Sequence, residues 1–288
     1  MILDGSLLSS EIKNKVKDEI KLNDYNVGLG IILVGSRSDS LIYVNMKKRV
    51  CNNVGINNYD VCMDMDSTTE EIINEVEMMN DNDNIHGILI QLPLPPHVDS
   101  QRILSSVKYA KDVDGFHAFS MGMLTLNKYD DYKVPCTAKG IMKLFDKYQI
   151  NLKGKDVVIV GKSDIVGMPV ALLCLHRDAT VTVCHEDTSD LDSHTKKADI
   201  IISATGVVNL INATNIKKNA IIIDVGINKI PCDTNPKGYK IVGDCDYDNI
   251  VNICHSISPV PGGVGPMTIA VLMENVLHAY KFQTTCRK

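Results

Sequence analysis

DVVIVGKSDIVGMPVALL, residues 156–173, is the stretch on which the fold turns. Its apolar run stops at Gly161, and a helix-forming run resumes near Gly167 after a short polar turn. Strand, glycine-bearing turn and helix in that order make a βα unit of the kind that packs onto a parallel sheet. Glycine lets the backbone approach a ligand closely, and the N-terminus of the following helix offers free N–H groups and the positive end of a dipole. The spacing is not G-x-G-x-x-G, so the segment reads equally as a phosphate-binding turn or as an ordinary glycine-rich turn of an α/β domain.

Downstream, TVTVC (180–184), ADIIISA (198–204) and AIIIDVG (220–226) are further short apolar strands, each preceded by a polar or helical segment. Upstream, Ile141, Leu144, Phe145 and Tyr148 mark a helix after Thr137. The first half alternates in the same way. A helix from about Ser6 carries Leu8, Ile12, Val16 and Ile20 at a spacing of four. GLGIILVG (28–35) is a strand running into a turn, and Ser38, Asp39 and Ser40 offer N-caps for a helix with Tyr43, Lys47 and Val54. YDVCM (59–63) is a second strand. Thr68 and Glu71 form a capping box ahead of Ile72, Ile73, Val76 and Met79, and NDNDN (80–84) reads as a loop. HGILIQLPLPP (86–96) is a buried strand stopped by prolines. The last helix starts at Gly265-Pro266, with proline at its first position, and presents Ile269, Leu272, Met273, Val276 and Tyr280. The expectation is α/β: two α/β domains flanking a cleft, joined near residues 130–140, the second Rossmann-like with a parallel sheet.

The whole-chain figures agree with a globular protein. The 288 residues are 44% apolar and 23% charged, with a net charge of -5, which argues against binding nucleic acid by phosphate neutralisation. No apolar run approaches the ~20 residues of a membrane span, and the opening MILDGSLLSSEIKNKVKDEI lacks a secretory pattern, so a cytoplasmic protein is expected. Nine cysteines, at 51, 62, 136, 174, 184, 232, 245, 254 and 286, show no CxxC and no paired metal spacing. They read as reduced thiols serving as small hydrophobes, and no metal site is expected.

Five places carry chemistry. Tyr43 and Lys47, four residues apart, share one helix face just after a strand-turn; an arbitrary pair of this kind is more often a solvated lysine beside a half-buried tyrosine. Gln91 ends an apolar strand, where a buried amide needs partners. Lys111-Asp112-Val113-Asp114-Gly115 sets two acids in a turn. The run from Pro259 to Pro266 joins three prolines and three glycines into a loop of fixed shape with approachable backbone, and a ligand-binding role is favoured. At the end of the strand after Gly161 stand Glu186 and Asp187, where a Rossmann domain places the residue that reads the adenosine ribose. An acid there accepts from a free 2′-hydroxyl and repels a 2′-phosphate, whereas Lys162 suits that phosphate.

Taken together, these segments resemble the methylene-tetrahydrofolate dehydrogenase/methenyl-tetrahydrofolate cyclohydrolase family from Ile2-Leu3-Asp4-Gly5 to the final helix. The matching signatures are Tyr43-Val44-Asn45-Met46-Lys47, His86 through Pro95, Lys111 through His117, Pro135-Cys136-Thr137 and Pro259 through Thr268. The resemblance implies oxidation of 5,10-methylene- to 5,10-methenyl-tetrahydrofolate, then hydrolysis to 10-formyl-tetrahydrofolate. A dehydrogenase without the hydrolysis, or an idle folate- or dinucleotide-binding protein, stands as the alternative.

It also implies site residues. Lys47 is the central catalytic group, Gln91 holds it, Tyr43 stacks on the folate, Asp114 binds the pterin ring, and Ser40 supports this set. Val44, Ile90, Leu92 and the loop Pro261, Gly262, Gly263, Val264, Gly265 and Pro266 complete the substrate site. Thr137, Gly161, Lys162, Ser163, Ile165, Glu186, Thr205, Gly206 and Ile227 bind the dinucleotide, beside Ala204 and the Gly226–Asn228 segment. The domains implied are 1–137, folate-binding and completed by the C-terminal helix at about 270–288, and 138–269 for NAD(P). A homodimer formed through the second domain is implied as well. The chain departs from the family pattern in four respects. Tyr109 and Ala138 replace usual prolines. Lys162 replaces a frequent arginine. Glu186-Asp187 replaces a serine followed by a basic residue. NADP is the family default, and the acidic pair makes NAD a serious alternative.

Overall fold

The computed structural model describes residues 1–236 and 238–285, and at Asp39 the backbone alone. Cys286, and the end of the C-terminal helix expected at 288, lie outside the described residues. The chain forms two compact bodies: one runs from Ser10 to Cys136 and resumes at Ile269, and the other joins Met1–Ser9 to Thr137–Thr268.

The first body takes most of α1 (Gly5–Asn23), followed by β1 (Gly28–Val34), α2 (Ser38–Val54), β2 (Asn57–Met63), α3 (Thr69–Asp81), β3 (Gly87–Ile90), α4 (Ser100–Ser106) and α5 (Ala118–Thr125). Its sheet is parallel in the order β2-β1-β3, with Ile31 opposite Asp60 on one side and Leu89 on the other. Central β1 reads as an unbroken apolar run because both faces are covered. Leu29, Ile31 and Leu33 pack with Val44, Val54 and Val276, whereas Ile32 and Val34 pack with Ile72, Val76 and Ile103. Truncating any of these buried leucines or isoleucines to alanine costs about 2–5 kcal/mol.

Some helix starts follow local chemistry and others do not. Thr68 and Glu71 form the expected capping box. The expected caps at Ser38, Asp39 and Ser40 are instead the first turn of α2, and Arg37 stands at the cap position without a side-chain bond. The NDNDN loop is also shorter than expected. Asn80 and Asp81 close α3, and buried Asn80 donates to the Ser106 carbonyl and accepts from the Lys108 amide.

The second body contains α6 (Cys136–Lys147), β4 (Asp156–Val160), α7 (Gly167–Leu175), β5 (Thr180–Cys184), α8 (Leu191–Thr195), β6 (Ile200–Ser203) and β7 (Ile221–Asp224). Then come the hairpin β8 (Asn228–Pro231) and β9 (Tyr239–Val242), α9 (Tyr247–Ile250), β10 (Ser256–Ile257) and α10 (Val264–Thr285), whose later part belongs to the first body. Its parallel sheet has the order β10-β7-β6-β4-β5. The Leu3 amide donates to the Ile257 carbonyl at 2.9 Å, so the N-terminal segment extends the sheet beyond β10. Helix α10 begins at Val264, which makes Pro266 its third residue; a proline within the first turn removes no intrahelical bond.

Candidate active site and dinucleotide turn

In the first body, Tyr43 and Lys47 lie half-buried on one face of α2. Lys47 Nζ donates to Gln91 Oε1 at 3.0 Å, and Gln91 Nε2 donates to the Leu92 carbonyl at 2.7 Å. The second bond fixes the amide so that its oxygen faces the lysine. Gln91 is held in turn by its own N–H, which donates to the Ile32 carbonyl one residue beyond β3. Burial pulls the Lys47 pKa below the ordinary lysine range, opposed by the nearby charge of Asp114 and by Cys136 and Cys51. Burial likewise pushes Asp114 up, opposed by Lys47 and by a hydrogen bond from the Cys136 thiol. Ser40 is buried one and two turns before this pair. Val44 and Ile90 are core residues, and Leu92 is half-buried.

Each residue of Lys111–Gly115 has a separate task. Buried Lys111 donates to the Met79 and Asn82 carbonyls, closing the C-terminal end of α3. Asp112 accepts from the backbone N–H groups of Gly115, Phe116 and His117 and from the Ser120 hydroxyl, which bends the chain into α5. Val113 fills space against Gly87, where a Cβ would come within 2.7 Å of its methyl group. Gly115 has φ +77 and lies on the Lys133 carbonyl, so a side chain has neither the conformation nor the room. Asp114 alone remains for chemistry. Tyr109, at the position where the family favours proline, places its ring 3.2 Å from Lys133 Nζ, which also pairs with Asp130 at 2.9 Å.

In the second body, the dinucleotide candidates follow the C-terminal ends of four parallel strands: Gly161 after β4, Glu186 after β5, Thr205 and Gly206 after β6, and Ile227 after β7. Strand β4 has β5 on one side and β6 on the other, so the Gly161 turn sits where the strand order reverses, the preferred ligand position in an open α/β sheet. A Cβ on Gly161 would stand 2.3 Å from the Ala204 carbonyl, and one on Gly167 2.0 Å from the Gly161 carbonyl. Ser163 Oγ accepts from the Val166 and Gly167 N–H groups and shapes the turn. Lys162 Nζ lies 3.6 Å from Glu186 and 4.0 Å from Asp187. Thr137 Oγ1 lies 3.1 Å from Thr268 Oγ1, and Ile165 is half-buried.

Two polar elements went unread in the sequence. Buried Asp244 accepts through one oxygen from the Thr205 and Gly206 N–H groups and from the Ser203 and Thr205 hydroxyls. Asp224 accepts from the N–H groups of Gly226, Asp244 and Cys245. These two acids tie together the loops after β6 and β7. In the Pro261–Pro266 run, the Gly262 carbonyl accepts from the Gly5 and Ser6 N–H groups, which anchors that loop to the N-terminal segment. Among the described residues there is no cluster of His, Cys, Asp or Glu able to hold a metal, and no helix long and apolar enough to cross a membrane.

Family models match both halves: residues 3–114 match the tetrahydrofolate dehydrogenase/cyclohydrolase catalytic domain, and 135–284 its NAD(P)-binding domain. The chain belongs to the tetrahydrofolate dehydrogenase/cyclohydrolase family. Within that family it is 47% identical to the bifunctional protein FolD of Nautilia profundicola over 97% of each chain. The crystal structure of the bifunctional FolD enzyme of Campylobacter jejuni superposes with TM-score 0.93 at 42% identity, covering 98% of this chain and 99% of that one. A second family structure, from Trypanosoma brucei and complexed with NADP and inhibitor, gives TM-score 0.94 at 35% identity over 99% and 98%. The family match accounts for the α/β architecture of both bodies.

Proposed function

We propose that this chain oxidises 5,10-methylene-tetrahydrofolate to the methenyl form with a nicotinamide dinucleotide and hydrolyses the product to 10-formyl-tetrahydrofolate. The observation that carries this reading is the Lys47–Gln91 bond with Asp114 nearby, in a chain matched end to end by bifunctional relatives. For the hydrolysis, lowering the Lys47 pKa increases the share of free amine near neutrality, the form that takes a proton from water attacking the methenyl carbon. Gln91 holds that amine in place. Asp114 offers two acceptors to the amino and ring N–H groups of the pterin, and Tyr43 stacks on the folate. The folate subsite includes Val44, Ile90, Leu92 and the Pro261–Pro266 loop. Domain roles follow: residues 1–137, with the C-terminal helix, handle folate, and 138–269 hold the dinucleotide.

For the oxidation, the dinucleotide supplies the hydride acceptor. Gly161, Ser163, Ile165, Thr205, Gly206 and Ile227 fit it, because the glycines at 161 and 167 let the turn close tightly against the Ala204 and Gly161 carbonyls, where any Cβ would clash. By family likeness the dinucleotide is NADP. A second reading, NAD, is favoured by the Lys162 ion pairs: two carboxylates on one ammonium leave a net negative charge where the 2′-phosphate would sit. Family likeness also supports a homodimer formed through the second body, whose outermost strand β5 offers backbone groups for pairing.

The test is an assay of the purified protein with methylene-tetrahydrofolate and either dinucleotide, following methenyl absorbance as it rises and then decays to the 10-formyl product. Accumulation without catalysed decay identifies a dehydrogenase alone, and binding without turnover identifies an idle binding protein. Either result overturns the bifunctional reading.

A further inference from the structure

Asn275 takes no part in the chemistry proposed above, yet it is fully buried on α10 among the side chains of the first core. A buried amide is retained at a cost unless its hydrogen bonds are made. Its Nδ2 donates to the Val113 carbonyl at 2.9 Å and lies 3.5 Å from Cys136 Sγ. The Cys136 thiol donates to the same carbonyl at 3.4 Å. The peptide group that carries this carbonyl is the one that leads into Asp114, so two donors from distant parts of the sequence converge on the bond that aims the carboxylate.

We infer that Asn275 is a positioning residue for folate binding, which acts by holding the Val113–Asp114 peptide so that the Asp114 carboxylate meets the pterin edge. The rest of the turn leaves this peptide as the remaining variable. Asp112 and Gly115 secure the chain on the far side of Asp114, and the Val113 side chain is locked against Gly87. Rotation about the 113–114 peptide moves the carboxylate while leaving those contacts intact, and a displacement near 1 Å is enough to lose most of a paired interaction. The inference rests on the reading that Asp114 binds the pterin.

A double-mutant cycle tests both steps. Asn275→Leu, near in size and without the donor, raises the KM for methylene-tetrahydrofolate about five- to tenfold, the range set by the loss of one buried hydrogen bond. It leaves the Kd of the dinucleotide unchanged. In an Asp114→Asn background the same change raises KM less than about twofold. An equal rise in both backgrounds, or none in the parent, overturns the positioning role alone. An unchanged folate KM in Asp114→Asn itself overturns the reading of Asp114 and the inference with it. Should Asn275→Leu fail to fold, Asn275→Val is compared with Asn275→Thr, a pair of nearly equal size of which only threonine keeps a donor on the side of the same carbonyl. Valine raising the folate KM at least about threefold more than threonine supports the inference, and equal values overturn it.

Discussion

Of the places that set a lysine beside a carboxylate, the Lys47 and Lys162 clusters use charge in opposite ways. Lys47 and Asp114 are half-buried, and burial moves both pKa values toward neutrality from opposite sides. Lys162, Glu186 and Asp187 are exposed, with 48%, 78% and 77% of their side-chain surface open, at 3.6 and 4.0 Å. In the low-dielectric setting, burial shifts each group toward its neutral form and the neighbouring charge pulls the other way, so the cluster becomes a reagent. In water the same residue types are screened and serve only to bias which ligand approaches. Position in the fold, rather than residue identity, separates chemistry from selectivity.

The largest effect is expected at the buried cluster. Lys47→Met removes the proton acceptor and is expected to lower the rate of methenyl hydrolysis by about 10²–10⁴, measured in single turnover with methenyl-tetrahydrofolate. Dinucleotide affinity should stay the same. Full hydrolysis in the variant would erase the distinction between a reactive and a merely selective lysine.

The dinucleotide turn is built from backbone, so its sensitive positions are glycines and not charges. A methyl group at 167 would fall 2.0 Å from the Gly161 carbonyl, which cannot yield without moving the turn. Overpacking of this kind costs about 1–3 kcal/mol. Gly167→Ala should therefore weaken dinucleotide binding about ten- to hundredfold by calorimetry. An unchanged Kd would show that the turn tolerates displacement and that the exposed charges carry the site.

Much of this contrast was legible in the sequence, and the gaps have physical reasons. Strand 156–160 stands where its apolar run places it, because a central strand covered on both faces reads as a continuous apolar run, and edge strand 180–184 was legible from its alternating Thr and Val. Lys47 and Gln91 were singled out separately, and their bond depends on β3 ending beside α2, which no local pattern records. The hairpin β8–β9 was missed because NKIP and YKIV are half-exposed and only four residues long. Asp224 and Asp244 were missed for a different reason. An acid beside glycine reads as a turn residue, and only the folded chain shows it buried beneath two loops. Asn275 sits amid the apolar stripe of α10, where a single amide does not disturb the helical period.

A pH series sharpens the buried side of the comparison. Burial raises the Asp114 pKa above its ordinary value, so the carboxylate that accepts from the pterin is lost earlier as pH falls. The folate KM should rise as pH drops through that raised value, up to tenfold for each pH unit below it. Lys47 opposes the shift, as does the Cys136 hydrogen bond, while the charge of Asp112 adds to it. In Lys47→Met the acid limb should therefore move to still higher pH. An acid limb at the same pH in both proteins would show that the two groups do not sense each other.

The smallest effect is expected at the exposed cluster, where it decides the cofactor. Glu186→Ser removes the acid nearer to Lys162 and frees the ammonium for a 2′-phosphate, leaving Asp187 as its remaining neighbour in this cluster. An exposed ion pair is worth about 0.2–1 kcal/mol, which limits the change in the NADP/NAD ratio of kcat/KM to about two- to fivefold in favour of NADP. Because the Debye length falls to about 3 Å at 1 M salt, the gain should shrink as salt is added, whereas the Lys47→Met defect should not. A ratio that does not move, or a gain that persists in high salt, would mean that cofactor choice is set by contacts within the glycine-lined turn and not by the charge field above it.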